Sequence, residues 1–255
     1  MIQIDTRRLI ERLKTIESIA VIPRVASTNL VARRIVAECI ENELSLPQAM
    51  IIAGEQFAGV GRNARTWSSP PGKGIYATTL LTRPANDLSL LSLEVSNIIV
   101  SYLHDVFSVD ARIKWPNDVL VGGKKIAGIL IESRIQDDRA FLIIGTGINV
   151  EPVDDDARPN AVAISEVTRK FDGITAATEA FIQHLDRRLS APFDRDAVLE
   201  EWRAHAVHQP GDRITCVIGD RTATGSWIGV DEQGRALLRN GEEVLTISAG
   251  DLMTT

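Results

Sequence analysis

The sequence predicts an α+β protein: a mixed β-sheet packed by helices, with a small β-barrel at its C-terminal end. Three observations carry this. Helical stretches are mixed with strands joined by tight turns, not ordered β-α-β-α as in a doubly wound sheet. After His208 the texture changes to short alternating strands split by Gly-Asp, Asp-Glu-Gln-Gly and Asn-Gly turns. The chain has 255 residues, 44% of them apolar, enough to bury a sizeable core without a disulfide or metal staple. The expected division is 1–208 for the sheet and helices, with 1–20 as an N-terminal helical extension, and 209–255 for the barrel.

Each element has its own signal. Asp5 can cap a short helix over 5–17, with Leu9, Leu13 and Ile16 on one face. Ser27-Thr28-Asn29 are good capping residues for a second helix, running to Glu41. Residues 50–56 read as a strand. Residues 57–74, rich in Gly, Arg, Ser and Pro, have neither period and read as a long loop. A strand over 75–82 and a strongly apolar helix over 88–107 follow. Next come a strand before Pro116 and a hairpin turning at Gly122-Gly123. A further apolar strand spans 139–150, then a Pro/Asp-rich loop over 151–160 and helices over 174–190 and 194–206.

Composition excludes several functions. A net charge of −6 argues against a general nucleic-acid binder. No apolar run reaches the roughly 18 residues of a membrane span, and the charged, amphipathic start does not read as a secretory leader. The expectation is a soluble, cytoplasmic protein that engages no membrane. Cys39 and Cys216 sit in no metal or redox spacing and read as small buried hydrophobes. The four histidines show no zinc spacing with cysteine, so no protein-held metal site is expected. Only six of the 28 basic residues are lysines, and Lys114, Lys124 and Lys125 lie close together. Lysine there fits chemistry that arginine cannot do.

Four segments carry candidate chemistry. Gly59-Val60-Gly61-Arg62-Asn63-Ala64 fits a dinucleotide fingerprint, but Pro70-Pro71 forbid the helix that must follow. What remains is either a solvated loop or a ligand loop, with Arg62 and Arg65 as forked donors and Trp67 for stacking. Lys114-Trp115-Pro116-Asn117-Asp118 is a polar turn, or a phosphate lysine beside groups for a nucleophile or metal. Strand alternation points Lys125 the same way as Ala127, Ile129 and Ile131, at the mouth of a buried surface. Gly128, Gly145 and Gly147 interrupt apolar strands, either as bulges or to make room for something, and Asn149 ends the last of them. Cationic donors, glycine-lined walls, a stacking Trp and a mobile lid together suit activation of a carboxylate by a nucleotide.

Ser27-Thr28-Asn29, GEQFAGVGRNARTWSSPPGKGIY, KWPNDVLVGGKKIAGILIES and GTGINV follow in the order, and nearly the spacing, of biotin–protein ligases, and the terminal barrel is similar to theirs. The resemblance covers about residues 22–255. It implies a class II synthetase-like catalytic sheet, an SH3-like barrel, and a two-step reaction. Biotin's carboxylate attacks the α-phosphorus of ATP, giving biotinyl-AMP, and a carrier-protein lysine then displaces AMP. Ser27, Thr28, Asn29 and Gln56 resemble the polar contacts of the biotin ring, and Gly59, Val60, Gly61 and Arg62 the loop closing over biotin and the adenylate. Lys125, with Gly128 beside it, resembles the lysine bridging biotin carboxylate and α-phosphate, and Arg62 the residue retaining the intermediate. Asp118 is similar to the carboxylate that orients or deprotonates the incoming lysine. Lys114 and Arg65 resemble triphosphate contacts, Trp67 the adenine stacker, Asn149 a nucleotide-side or metal-side amide, and Asn117 belongs with the ATP-binding residues. Mg²⁺ accompanies ATP in this reading.

Two departures stand out. The family loop reads G-R-G-R-x-G-R, and here Val60 replaces an arginine and Ala64 a glycine. One lost charged hydrogen bond is worth roughly 1.5–3 kcal/mol, up to about a hundredfold in affinity. Some relatives carry an N-terminal helix-turn-helix. With one helix and a strand before Ser27, no sequence-specific DNA binding is expected. The expected partner is the biotin carboxyl carrier domain of a biotin-dependent carboxylase, docking at strand edges near 120–124, with the ligase a monomer or homodimer. A lipoate or octanoate ligase and a non-catalytic biotin sensor are the alternatives. Intact Arg62, Lys114, Asp118 and Lys125 argue against the sensor.

Overall fold

A computed structural model of the chain describes residues 3–85, 88–153 and 160–254. The larger sheet has seven strands: β1 (Ser18–Ile22), β2 (Ala49–Ala53), β3 (Gly74–Pro84), β4 (Arg112–Lys114), β5 (Asp118–Val121), β6 (Lys124–Gln136) and β7 (Arg139–Asn149). Their spatial order is β1-β2-β3-β7-β6-β5-β4. Only β1 and β2 pair in parallel, so the sheet is mixed as expected.

Alternation along the central strands assigns the two faces. Ile51, Leu80 and Ile143 pack under α2 (Thr28–Glu41), which buries Ala32, Val36 and Cys39 against them. Met50, Ile52, Leu142 and Ile144 point the other way, toward α3 (Leu91–Phe107). That helix is buried almost all round, because α5 (Ile174–Leu189) and α6 (Arg195–His205) cover its outer side. Tyr102 of α3 stacks edge-on to Phe181 of α5 at 5.3 Å and donates to the Ala177 carbonyl.

The first helix is shorter than the expected 5–17. α1 covers Thr6–Ile10, with Asp5 capping it through the Arg8 N–H. The buried Asp186 carboxylate then takes the backbone N–H groups of Lys14, Thr15 and Ile16 at 2.7–2.8 Å. Three charge-assisted bonds to one group outcompete further helical turns. Leu9 and Ile16 are still buried, so the apolar face serves without the helix.

The Gly122-Gly123 hairpin forms as expected, both glycines having positive φ. It offers no free edge at 120–124, because β5 lies between β6 and β4. Among the described residues, β6 has an unpaired edge beyond Ile129, in addition to the outer edges of β1 and β4. Most of the 151–160 loop lies outside the described residues; Asn160–Val162 bond to the backbone of Lys125. A short α4 (Ile164–Val167), not expected from periodicity, follows.

The C-terminal strands β8 (Arg213–Ile218), β9 (Arg221–Val230), β10 (Ala236–Asn240), β11 (Glu243–Ile247) and β12 (Asp251–Thr254) pair antiparallel in the order β11-β10-β9-β8-β12. Their buried Cys216, Trp227, Leu238 and Leu252 belong to the same apolar cluster as the α3 face of the large sheet. The Trp115 indole donates to the Gly234 carbonyl at 2.9 Å across this junction. Cys39 and Cys216 are buried and free, and no helix among the described residues is long and apolar enough to cross a membrane.

A buried histidine makes the helical layer sensitive to acid. His184 of α5 has Nε2 2.9 Å from Ser101 Oγ and Nδ1 2.7 Å from an Arg187 nitrogen. Arginine only donates, so Nδ1 accepts and the ring is held neutral. Burial, then Arg187, lower its pKa from 6.5 to about 4, with Arg188 acting in the same direction against Asp105 and Glu201. The unfolded chain therefore binds the extra proton first. The stabilisation is complete above pH 6.5 and is lost as pH falls toward 4. Urea unfolding should show about 2–3 kcal/mol lost across that window from this group. His184→Gln should flatten the slope, and an unchanged slope would contradict the assignment.

Candidate active site

The site lies on the α2 face of the large sheet, where that helix begins. Pairing register places Tyr76, Gly147, Gly128 and Asp118 side by side across β3, β7, β6 and β5. The two middle positions carry no side chain, which leaves a bare strip. Trp67 lies on it. A Cβ on Gly147 would collide with the indole, and one on Gly128 would sit 3.0 Å from Trp67 and 3.2 Å from Lys125 Nζ. The glycines that the sequence set aside to make room thus first make room for the protein's own tryptophan. Gly145 does the same for Asn29.

Lys125 faces opposite to the expectation from simple alternation. Val119 pairs with Ala127 but Leu120 pairs with Lys125, so Ile126 is an extra residue in β6. That bulge turns Lys125 away from the Ala127 and Ile129 side and onto the Gly128 side. There Nζ lies 2.6 Å from Asp118 Oδ1 and 5.2 Å from the centre of the Trp67 ring. Asn149 braces the bulge: its Nδ2 donates to the carbonyls of Lys125 (3.1 Å) and Val162 (3.2 Å). Both amide protons are thereby used, leaving Oδ1 to meet a ligand.

The expected lid is not an unstructured loop. Residues 59–67 form a narrow hairpin, closed by Trp67 N–H to Gly59 O (2.9 Å) and Gly61 N–H to Arg65 O (2.7 Å). Its tip, Arg62–Ala64, turns through positive φ at Asn63 (52°) and Ala64 (56°). Turns of this hand favour Asn-Gly, and Ala64 in this conformation is strained. Arg62 donates to Asn117 Oδ1 at 3.1 Å, and Asn117 donates in turn to the Ile129 carbonyl at 2.7 Å. Two arginines and one lysine thus surround a cavity of about 360 Å³, within the range of small-molecule sites.

Polar side chains line the end of the cavity nearest α2. Thr28, Asn29 and Thr78 are buried there. Gln56 Oε1 accepts from both the N–H and the hydroxyl of Thr28, so Gln56, not Ser27, caps α2. Gln56 Nε2 donates to Ser69 Oγ at 2.9 Å. Thr78 Oγ1 lies 2.7 Å from both Thr28 Oγ1 and Asn29 Oδ1. Asn29 Nδ2 donates to Glu132, which also pairs with Arg33. The buried Ser27 hydroxyl lines the cavity and has no bond within the described residues.

The structure therefore gathers Ser27, Thr28, Asn29, Gln56, Val60, Gly61, Arg62, Arg65 and Trp67 around one cavity, together with Asn117, Asp118, Lys125, Gly128 and Asn149. It leaves two predicted residues outside. Gly59 sits at the hairpin base against Trp67 and Ser69. Lys114 is not part of the cavity wall; its charge acts on buried His208, whose pKa is lowered by burial and then by Lys114. Sequence reasoning missed Ser69, Thr78, Glu132, Asn160 and Asp251. Only Glu132 had a local signal, as a charge in an apolar strand. No group of three His, Cys, Asp or Glu among the described residues could cage a metal.

Gly147→Ala should expel the indole from its strip. Trp67 is the one tryptophan that is not buried, so a red shift of emission reads its release. Overpacking should cost about 1–3 kcal/mol in urea unfolding. Unchanged emission and stability would show that Trp67 does not occupy the strip.

Comparison with known proteins adds the lineage. The model of the biotin/lipoate A/B protein ligase family matches residues 21–149. The bifunctional ligase/repressor BirA of Bacillus subtilis is 28% identical over 214 residues, 80% of this chain and 65% of the relative. This chain thus spans just under two thirds of the length of that relative. The biotin–[acetyl-CoA-carboxylase] ligase of Paracoccus denitrificans is 30% identical over 213 residues, 77% of this chain and 87% of the relative. The Aquifex aeolicus biotin protein ligase solved with biotin and ATP superposes with a TM-score of 0.70 at 24% identity, over 93% of this chain and 98% of that one. The Leishmania major biotin protein ligase solved with biotin gives 0.61 at 25%, over 91% and 98%. The match over half the chain, and a 30%-identical relative covered along most of its length, show that this chain belongs to the biotin/lipoate A/B protein ligase family.

Proposed function

We propose that this chain is a biotin–[acetyl-CoA-carboxylase] ligase. It activates biotin with ATP as biotinyl-5′-AMP and transfers the biotinyl group to a lysine of a biotin carboxyl carrier domain. The family alone admits biotin and lipoate. The observation that favours biotin is the polar end of the cavity, where Ser27, Thr28 and Asn29 are buried and Gln56 joins them. The buried Ser27 hydroxyl, without a bond among the described residues, would face apolar atoms of an alkyl or dithiolane end, at about 1–3 kcal/mol. A ureido ring offers donors and an acceptor.

The chemistry joins two anions, so charge neutralisation and positioning are what the protein must supply. Lys125 reaches into the cavity beside Asp118 and the face of Trp67, and in this scheme the acid carboxylate meets the α-phosphate at its amine. To act there it leaves Asp118 for the incoming anions. The carboxylate oxygen then bonds to the α-phosphorus and pyrophosphate leaves. In the second step Asp118 accepts the proton of the acceptor ammonium, the amine bonds to the acyl carbon as the acyl–phosphate C–O bond breaks, AMP departs, and the second proton of the nitrogen passes to solvent. Arg65 takes the polyphosphate, Trp67 stacks the base and Arg62 retains the intermediate. Lys114, off the cavity wall, has no direct role in this scheme. Mg²⁺ would accompany the polyphosphate, keeping most of its own waters and neutralising charge there. The division into a catalytic part, 1–208, and a barrel, 209–255, and a cytoplasmic setting with ATP to hand, belong to the same proposal.

ATP–pyrophosphate exchange with biotin, lipoate, octanoate or no acid tests the reading. Biotin-dependent exchange is expected, and Lys125→Ala should lower it by at least about a hundredfold with an unchanged melting temperature. Exchange with lipoate or octanoate but not biotin would overturn the substrate. Wild-type exchange in Lys125→Ala would overturn the role of the lysine.

A further inference from the structure

We propose that Asp251 is a positioning residue: it latches the arginine hairpin onto the C-terminal barrel and so sets how long the acyl-adenylate is held. The inference deepens the ligase reading and rests on it for the identity of the retained intermediate. The contacts themselves do not depend on that reading.

Asp251 opens β12, the last strand. Its backbone pairs with Val217 of β8, and the next residue, Leu252, is fully buried. The preceding Gly250 runs so close to Cys216 that a Cβ there would strike the sulfur. The carboxylate is therefore carried by rigid, packed backbone at the rim of the cavity. From there Oδ2 accepts from Arg65 Nη2, and Oδ1 lies 3.8 Å from Arg62 Nη1. Arg62 Nη1 also donates to the Gly250 carbonyl at 3.3 Å. One short stretch of barrel thus engages both arginines of the hairpin.

The hairpin needs such a contact. Its tip holds Ala64 at a φ of 56°, a conformation unfavourable for alanine, with no side chain of its own to secure the turn. Arg62 is well enclosed, its side chain 21% exposed, whereas Arg65 is 67% exposed. The exposed arginine is free to pass from Asp251 to an incoming polyphosphate while Arg62 stays over the cavity, tied to Asn117 and Gly250. With Asp251 neutralised, the bridge to Arg65 goes and Arg62 keeps only Asn117 and the Gly250 carbonyl, so the strained tip is held less tightly over the mouth.

The test has two readouts. In substrate-free protein, trypsin should cut the Arg62–Asn63 bond about fivefold faster in Asp251→Asn than in wild type, with Asp251→Glu restoring protection. Arg65→Gln cuts the same bridge without touching the barrel, so it decides the matter if Asp251→Asn does not fold. In turnover, Asp251→Asn should release free biotinyl-AMP about fivefold faster, seen as labelling of bystander lysines, and Asp251→Glu should suppress it. Folded Asp251→Asn, or Arg65→Gln in its place, with wild-type cleavage and wild-type release would overturn the latch. If wild-type protein shows no exchange with any acid, the ligase reading falls, and the proteolysis result alone judges the contact.

Discussion

The site depends on one extra residue in one strand. Without the bulge at Ile126, alternation would turn Lys125 toward the α3 side, where Ala127 and Ile129 are buried and an ammonium has no partner. With it, the lysine stands beside Gly128, in reach of Asp118 and the face of Trp67. The bulge is held from both sides. β5 changes register across it, while Asn149 and the Asn160–Val162 segment take up the Lys125 backbone. The placement of the amine is therefore a property of four chain segments, and the cavity is organised around it.

The same economy governs the rest of the cavity. Trp67 rests on a strip made by two cross-strand glycines, so the stacking surface is preformed against the sheet and does not float on a loop. At the opposite end the polar groups are linked from Ser69 through Gln56, Thr28, Thr78 and Asn29 to Glu132 and Arg33. Such a chain fixes rotamers before a ligand arrives, which lowers the ordering cost of binding. The barrel shares its apolar cluster with the large sheet, so it is mechanically continuous with the wall it meets at Asp251.

Much of this was legible in the sequence where the signal is local. The Gly122-Gly123 turn, the apolar α3 and the short barrel strands follow from turn and period rules, and the start of α2 falls at the expected Ser27-Thr28-Asn29 although distant Gln56 supplies the cap. Most of the site residues were named by motif, and they do converge. The rest depends on partners far along the chain. Asp186 stops the first helix from about 170 residues away. Asp251 meets Arg65 across 186 residues. The direction of Lys125 depends on a register change that no single strand reveals. Ala64 was visible as a departure from a glycine pattern, but its positive φ, which makes the departure costly, comes only from the hairpin.

The proposed chemistry turns on Lys125 exchanging Asp118 for the anions of the reaction. The most direct measurement is a crystal structure with a non-hydrolysable biotinyl-adenylate analogue. The expected result has the bicyclic ring against Thr28, Asn29 and Gln56, the base on Trp67, and Lys125 moved from Asp118 to the linkage between acyl group and phosphate. A bound analogue with Lys125 still on Asp118, or with its ring away from the polar end, would contradict it.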